Sequence, residues 1–157
     1  MGRLLLAAIG FLIVGSGISL GQTASAQVSL RVRLLNYKTG RPLKGRYVEF
    51  VLSGPDGKFP NRPELMRAET DANGVAEFWF QTMPPLRVWV LPLDDYPCAE
   101  QVEFATSDIH QHGIAASYAD DSYCKPHPTT LPNPQPGEVI FPVHRLNLWQ
   151  RFVRGLE

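Results

Sequence analysis

The chain has 157 residues, and its 15 Lys and Arg balance 15 Asp and Glu, so the formal net charge is zero. Without a basic stripe, that balance excludes nucleic acid as a partner class. Its two cysteines are too few for a closed cysteine zinc site.

Residues 1–26 read as a signal peptide. Arg3 supplies the positive start, and Leu4 to Leu20 is an apolar run broken only by Gly and Ser. Ala24-Ser25-Ala26 is a small-x-small cleavage pattern ending before Gln27. No Cys follows the run, which argues against a lipid anchor. The expectation is export to the periplasm or the extracellular space, with no transmembrane segment after cleavage. In an oxidising compartment, Cys98 and Cys124 read as one disulfide. Closing that loop is worth about 3.5 kcal/mol in the chain-entropy picture.

Residues 27–145 then form one domain. Val28, Leu30, Val32 and Leu34 alternate with Ser29, Arg31 and Arg33, the period of a half-buried strand. A loop with Gly40, Pro42 and Gly45 leads to a second strand, Tyr47 to Ser53. Gly54-Pro55-Asp56-Gly57 is a turn signal. After a polar loop, Leu65 to Thr70 is a short strand. Thr70-Asp71-Ala72-Asn73-Gly74 is the turn that sets the register of the next strand. Asp71 can bond its own downstream backbone, and Asn73 and Gly74 tolerate positive φ, as a hairpin or bulge requires. In Val75 to Gln81, Ala76, Phe78 and Phe80 face inward, with Glu77 and Trp79 outward. Pro84-Pro85 ends that strand. Leu86 to Leu91 comes next with Val88 and Val90 inward, then Gln101 to Ala105.

Regularity then falls. Thr106 to Ile114 has room for one helical turn. Residues 115–137 read as a loop, with five prolines between 126 and 136. Gly137 to His144 returns to strand, and Pro142 points to an edge or a strand end. Residues 146–157 read as an amphipathic helix. Asn147 and Gln150 have capping-box spacing, and Trp149, Phe152, Val153 and Leu156 form one apolar stripe. That stripe is expected to dock on the sandwich, with Trp149 and Phe152 as anchors. Seven short strands separated by turns, without β-α-β alternation, mean an all-β, antiparallel, immunoglobulin-like sandwich with a short C-terminal helix.

Three segments carry a family resemblance: Val32-Arg33-Leu34-Leu35 into Gly40-Arg41-Pro42-Leu43-Lys44-Gly45, then Tyr47-Val48-Glu49-Phe50, then Thr70 to Phe78. Together they resemble the carboxypeptidase regulatory-like domains, which are transthyretin-like (prealbumin-like) β-sandwiches. The resemblance spans roughly residues 28–105 and consists of turn chemistry. The tail from Pro136 to Phe152 looks like the end of small exported bacterial proteins of this kind. What the resemblance implies is an accessory, binding or structural module without catalysis or cofactor.

Two enzyme families share related sandwiches. The hydroxyisourate hydrolases need His and Arg near the first strand and a Tyr-Arg-Gly-Ser C-terminus; here the first strand has no His and the sequence ends Val153-Arg154-Gly155-Leu156-Glu157, so that reading fails. The intradiol dioxygenases bind iron through two Tyr and an H-x-H on a strand after an Arg-rich lead-in. Here His110-Gln111-His112 follows Thr106-Ser107-Asp108-Ile109, without Arg, and Tyr96, Tyr118 and Tyr123 lie nearby.

The alternative function is metal binding by His110, His112 and His127, with Asp108, Asp120 and Asp121 in the same segment; imidazole and carboxylate suit zinc or copper. The plainer reading is a set of exposed polar loop residues. Residues 88–124 hold seven acidic residues and no Lys or Arg. Such a run attracts a cation or, more commonly, is a solvated face. Trp79 and Trp89 fall on the outward parity of their strands. Paired in a hairpin, they would form a platform for a sugar ring or for an apolar residue of a partner protein. The plainer reading has the chain's own helix covering them.

Overall fold

The computed structural model describes residues 28–61, 63, 65–80, 85–125, 130–147 and 149–150. In chain order these form β1 (Val28–Asn36), β2 (Tyr47–Leu52), β3 (Leu65–Glu69), β4 (Val75–Phe80), β5 (Arg87–Pro92), β6 (Tyr96–Pro97) and β7 (Glu103–Ala105). Then come α1 (Thr106–His112), β8 (Ile114–Ala115), a 3₁₀ turn at Ser122–Cys124 and β9 (Glu138–His144). One sheet runs β4-β1-β9-β6, with β8 also on β9, and the other runs β3-β2-β5-β7. The result is the expected all-β sandwich.

Alternation decides what fills the space between the sheets. Leu30, Val32 and Leu34 of β1, Ala76, Phe78 and Phe80 of β4, and Val139, Phe141 and Val143 of β9 face Val48, Phe50, Val88, Val90 and Phe104 of the second sheet. Phe50 stacks on Phe78 across the gap at 4.1 Å, and Phe104 meets Phe141 edge-on at 6.4 Å. Each fully buried aliphatic or aromatic side chain here is worth roughly 1.5–3 kcal/mol. The inward positions read from β1, β4 and β5 are the buried ones, except Val28 at the start of β1, which is half-buried.

The Thr70–Gly74 turn differs in kind from a hairpin. It is a corner between sheets, because β3 pairs with β2 whereas β4 pairs with β1. Asp71 Oδ1 accepts from the Asn73 and Val75 amides at 2.8 and 2.9 Å. Thr70 Oγ1 donates to the Leu43 carbonyl at 2.6 Å and accepts from the Arg46 amide at 2.9 Å. Gly74 has φ +74°, and a Cβ there would sit 2.7 Å from the Leu34 carbonyl oxygen. The corner therefore ties the start of β4 to the Leu34 and Leu43 backbones.

The last strand departs most from the expected antiparallel order. β9 lies in the middle of its sheet, parallel to β1 with Arg31 opposite Glu138 and Leu35 opposite Pro142. Its residues Glu138 to Val143 are all buried, the continuous apolar pattern of a strand covered on both faces. Pro142 is tolerated there for a geometric reason. A strand residue's N–H and C=O point to the same side, and the Pro142 carbonyl accepts from the Cys98 amide at 2.9 Å. The missing N–H thus faces the side where β8 gives way to β6, away from the β1 ladder. Glu138, buried at the start of β9, is paired with Arg33 at 2.8 Å.

The Cys98–Cys124 disulfide forms, with the Cα atoms 5.5 Å apart. It packs with Tyr37, Tyr96 and Tyr118 in a cluster separate from the main core. Tyr37 in turn meets the His144 ring at 5.1 Å. The bond thereby clamps the irregular segment onto the end of β9.

Three outcomes are expected. Gly74→Ala should destabilise the fold by ~1–3 kcal/mol or more in denaturant unfolding, because it forces positive φ and a backbone clash. Asp71 is held below the ordinary carboxylate range, chiefly by the Val75 amide and then by Asn73 and the Arg33 charge. Its stabilising contribution is complete above the unfolded carboxyl's range and is lost as pH falls through the lowered folded value. The melting-temperature gap between wild type and Asp71→Asn should therefore narrow on acidification. Replacing both cysteines by alanine should cost about 3.5 kcal/mol, and mass spectrometry of non-reduced protein should find no alkylatable thiol.

Candidate ligand-binding face

Trp79 and Trp89 point outward, as their parity requires, but they do not form a pair. Trp79 lies opposite Ser29 in the first sheet. Trp89 lies opposite Val51 and Glu103 in the second. The shared platform therefore fails: β4 and β5 are taken by different sheets, and the two indoles lie on opposite outer faces of the sandwich.

Their surroundings differ accordingly. Trp89 stacks on Phe59 at 4.2 Å, and its Nε1 donates to Glu103 Oε2 at 2.9 Å. Glu103 also receives Arg87 Nε at 2.8 Å. Trp89 is thus part of the surface packing of its sheet. Trp79 keeps 51 % of its surface exposed.

At the C-terminus, the capping box forms as its spacing predicts. The Asn147 amide donates to Gln150 Oε1 at 2.9 Å, and the Gln150 amide donates to Asn147 Oδ1 at 2.8 Å. Residues 149 and 150 are helical. Trp149 is 71 % exposed and is not the expected buried anchor, whereas Leu146 just before the cap is buried. Phe152, Val153 and Leu156 lie outside the described residues.

His110 and His112 do not converge. His110 and His112 sit on α1, and two residues of helix separate side chains by about 200° around the axis, so an H-x-H here cannot present both rings to one ion. His127 lies outside the described residues. Among the described residues, no three His, Cys, Asp or Glu side chains are grouped for a metal. Two of the three tyrosines of the dioxygenase pattern have their hydroxyls engaged elsewhere. Tyr96 donates its hydroxyl to Asp121 Oδ2 at 2.5 Å, and Tyr118 reaches the Tyr37 carbonyl at 3.5 Å. The iron-ligand pattern does not fit.

Much of the acidic segment is also engaged. Asp95 is buried against Arg46 at 3.2 Å. Asp120 pairs with Lys125. Asp121 is held below the usual carboxylate range by the Tyr96 hydroxyl and then the Tyr123 amide. The segment is bound up in internal contacts.

An open cleft of about 480 Å³ is lined by Val28, Ser29 and Arg31 of β1, Glu77 of β4, His110 of α1 and the Pro136-Gly137 turn; Trp79 is not part of its lining but stands directly opposite Ser29 on the same outer face. Arg31 and Glu77 are direct cross-strand neighbours. The Arg31 guanidinium donates to the Pro136 carbonyl at 3.2 Å. The end of α1 is brought there by the backbone: the Gly113 and Gly137 amides both donate to the Ile109 carbonyl, at 3.0 and 2.7 Å. Gly113 is needed at this approach, since a Cβ there would lie 2.2 Å from the Gln135 carbonyl oxygen. Sequence reasoning singled out His110 as a metal ligand and missed Arg31 and Glu77. The missed signal is opposite charge on the outward positions of two strands flanking an outward Trp.

No family model matches the chain, and no curated protein matches it. Among solved structures it is similar to the crystal structure of hydroxyquinol 1,2-dioxygenase from Pseudomonas putida DLL-E4, at 11 % identity and a TM-score of 0.39. The match covers 80 % of this chain and 58 % of that one, so the chain spans less than two thirds of the enzyme's length. At that level the likeness carries neither fold nor activity across.

Proposed function

We propose that this chain is an exported, non-catalytic binding module of the carboxypeptidase regulatory-like type, which engages its ligand through the outer face of the first sheet. The observation that carries the reading is Trp79, half exposed on the same outer face as a cleft whose polar groups come from β1, β4 and α1, and directly opposite that cleft's Ser29. An indole held outward on a strand offers a flat apolar face with a polar N–H edge, which suits it to contact a ligand. The disulfide supports an oxidising compartment. No helix among the described residues is long and apolar enough to cross a membrane. The bends quoted for the family resemblance are the ones that hold β1, β2 and β4 together, which supports that kinship.

The test pairs stability with metal titration. Trp79→Ala should leave stability within roughly 0.5 kcal/mol of wild type, as for a surface site. Trp89→Ala should cost about 1–3 kcal/mol, from the lost stack and the lost bond to Glu103. Zinc, copper and ferrous iron should each leave the melting temperature unchanged, because a metal that binds only the native state must raise it. A rise that His112→Ala abolishes overturns the reading in favour of the metal alternative.

A further inference from the structure

The cleft beside Trp79 holds charged groups that do not satisfy one another. Opposite charges placed directly across an antiparallel pair ordinarily attract and close on each other. Arg31 and Glu77 are so placed, yet they form no ion pair with each other. The guanidinium turns to the Pro136 carbonyl. The Glu77 carboxylate and the His110 imidazole make no hydrogen bond or ion pair among the described residues. The Ser29 hydroxyl lines the same space. Trp79 stands two residues along β4 from Glu77, on the same face and directly opposite Ser29.

From this geometry we infer that the cleft is a binding site for a neutral, polyhydroxylated ring, that is, one or more sugar units. The inference rests on the binding-module reading above. Three features select the ligand class. The Arg31 and Glu77 charges cancel, so no net ionic attraction favours an anion or a cation. The polar groups are mixed: a guanidinium only donates, a carboxylate only accepts, and a hydroxyl and an imidazole do both. Vicinal sugar hydroxyls, each both donor and acceptor, match that set. The indole, opposite the cleft's Ser29, offers a flat apolar surface against which the C–H face of a pyranose packs while its hydroxyls reach the cleft. A volume of about 480 Å³ falls within the roughly 300–1,000 Å³ of small-molecule sites. Glu77 accepts from one ring hydroxyl and Arg31 donates to its neighbour, with His110 closing the far side.

The experiment is a titration of the purified, oxidised protein with chitotetraose, cellotetraose and maltotetraose up to about 10 mM, where a site with Kd ~1 mM is mostly filled. Intrinsic fluorescence and the indole N–H resonances are monitored. At least one oligosaccharide should bind and shift the Trp79 signals, which Trp79→Phe identifies. Trp79→Ala and Glu77→Gln should each weaken binding roughly tenfold with wild-type melting, while Trp89→Phe leaves it intact. The proposal is overturned if none of the three binds, if Trp79→Ala binds as well as wild type, or if the zwitterion glycylglycine or polygalacturonate binds the cleft in their place. A failure here with flat metal titrations removes only the ligand class. A failure accompanied by a metal-induced rise in melting temperature removes the binding-module reading as well.

Discussion

The parallel ladder between β1 and β9 is the constraint on which the rest of the sandwich depends. It joins residues more than a hundred positions apart and places a wholly buried strand at the centre of the first sheet. Without β9, one edge of β1 is open, and β6 and β8 have nothing to pair with. The inner-face residues Val139, Phe141 and Val143 complete the core below Phe104. The outer face requires Glu138 to be neutralised, and Arg33 on the neighbouring strand does so. A buried pair of this kind adds little net stability, but removing one partner leaves an uncompensated charge. Arg33 and Glu138 therefore secure register more than they add energy.

Local chemistry was legible in the sequence because its causes are local. Alternation along β1, β4 and β5 reports burial directly, since each strand has one face in the core. Asp71, Asn147 and Gln150 act on backbone groups within a few residues of themselves, so their turn and cap appear where expected. What escaped detection depends on distance. β6 and β8 have two residues each, too few to show a period, and exist only because β9 supplies a partner. The central place of β9 was hidden by Pro142, whose missing N–H is harmless only because of where its two neighbours meet. Whether Thr70–Gly74 joins strands of one sheet or two is likewise decided by β1 and β2.

The candidate site shows the same division. Trp79 was recognisable as outward, and His110 as chemically notable. Their association with Arg31 and Glu77 requires knowing that β4 lies beside β1 and that α1 is held against the Pro136-Gly137 turn. Trp89 shared the parity of Trp79 and none of its availability, because Phe59 from a loop of its own sheet's side covers it and Glu103 binds it. Parity alone says which way a side chain points; what else reaches that face is a matter of topology.

The direction of the β1–β9 pair has a mechanical consequence. The two strands are parallel, with Val28 at the start of one and His144 at the end of the other. Tension applied through the flanking segments would pull them past each other along their length, loading the rungs of the ladder together in shear instead of peeling them one by one. The second sheet and the disulfide hang outside that line of force, whereas the cleft, lined by Val28, Ser29 and Arg31 of β1 and by the Pro136-Gly137 turn into β9, lies on it. In a domain with this wiring the second sheet is shielded from a load applied at both ends, and the cleft on β1 shares the strand that bears it.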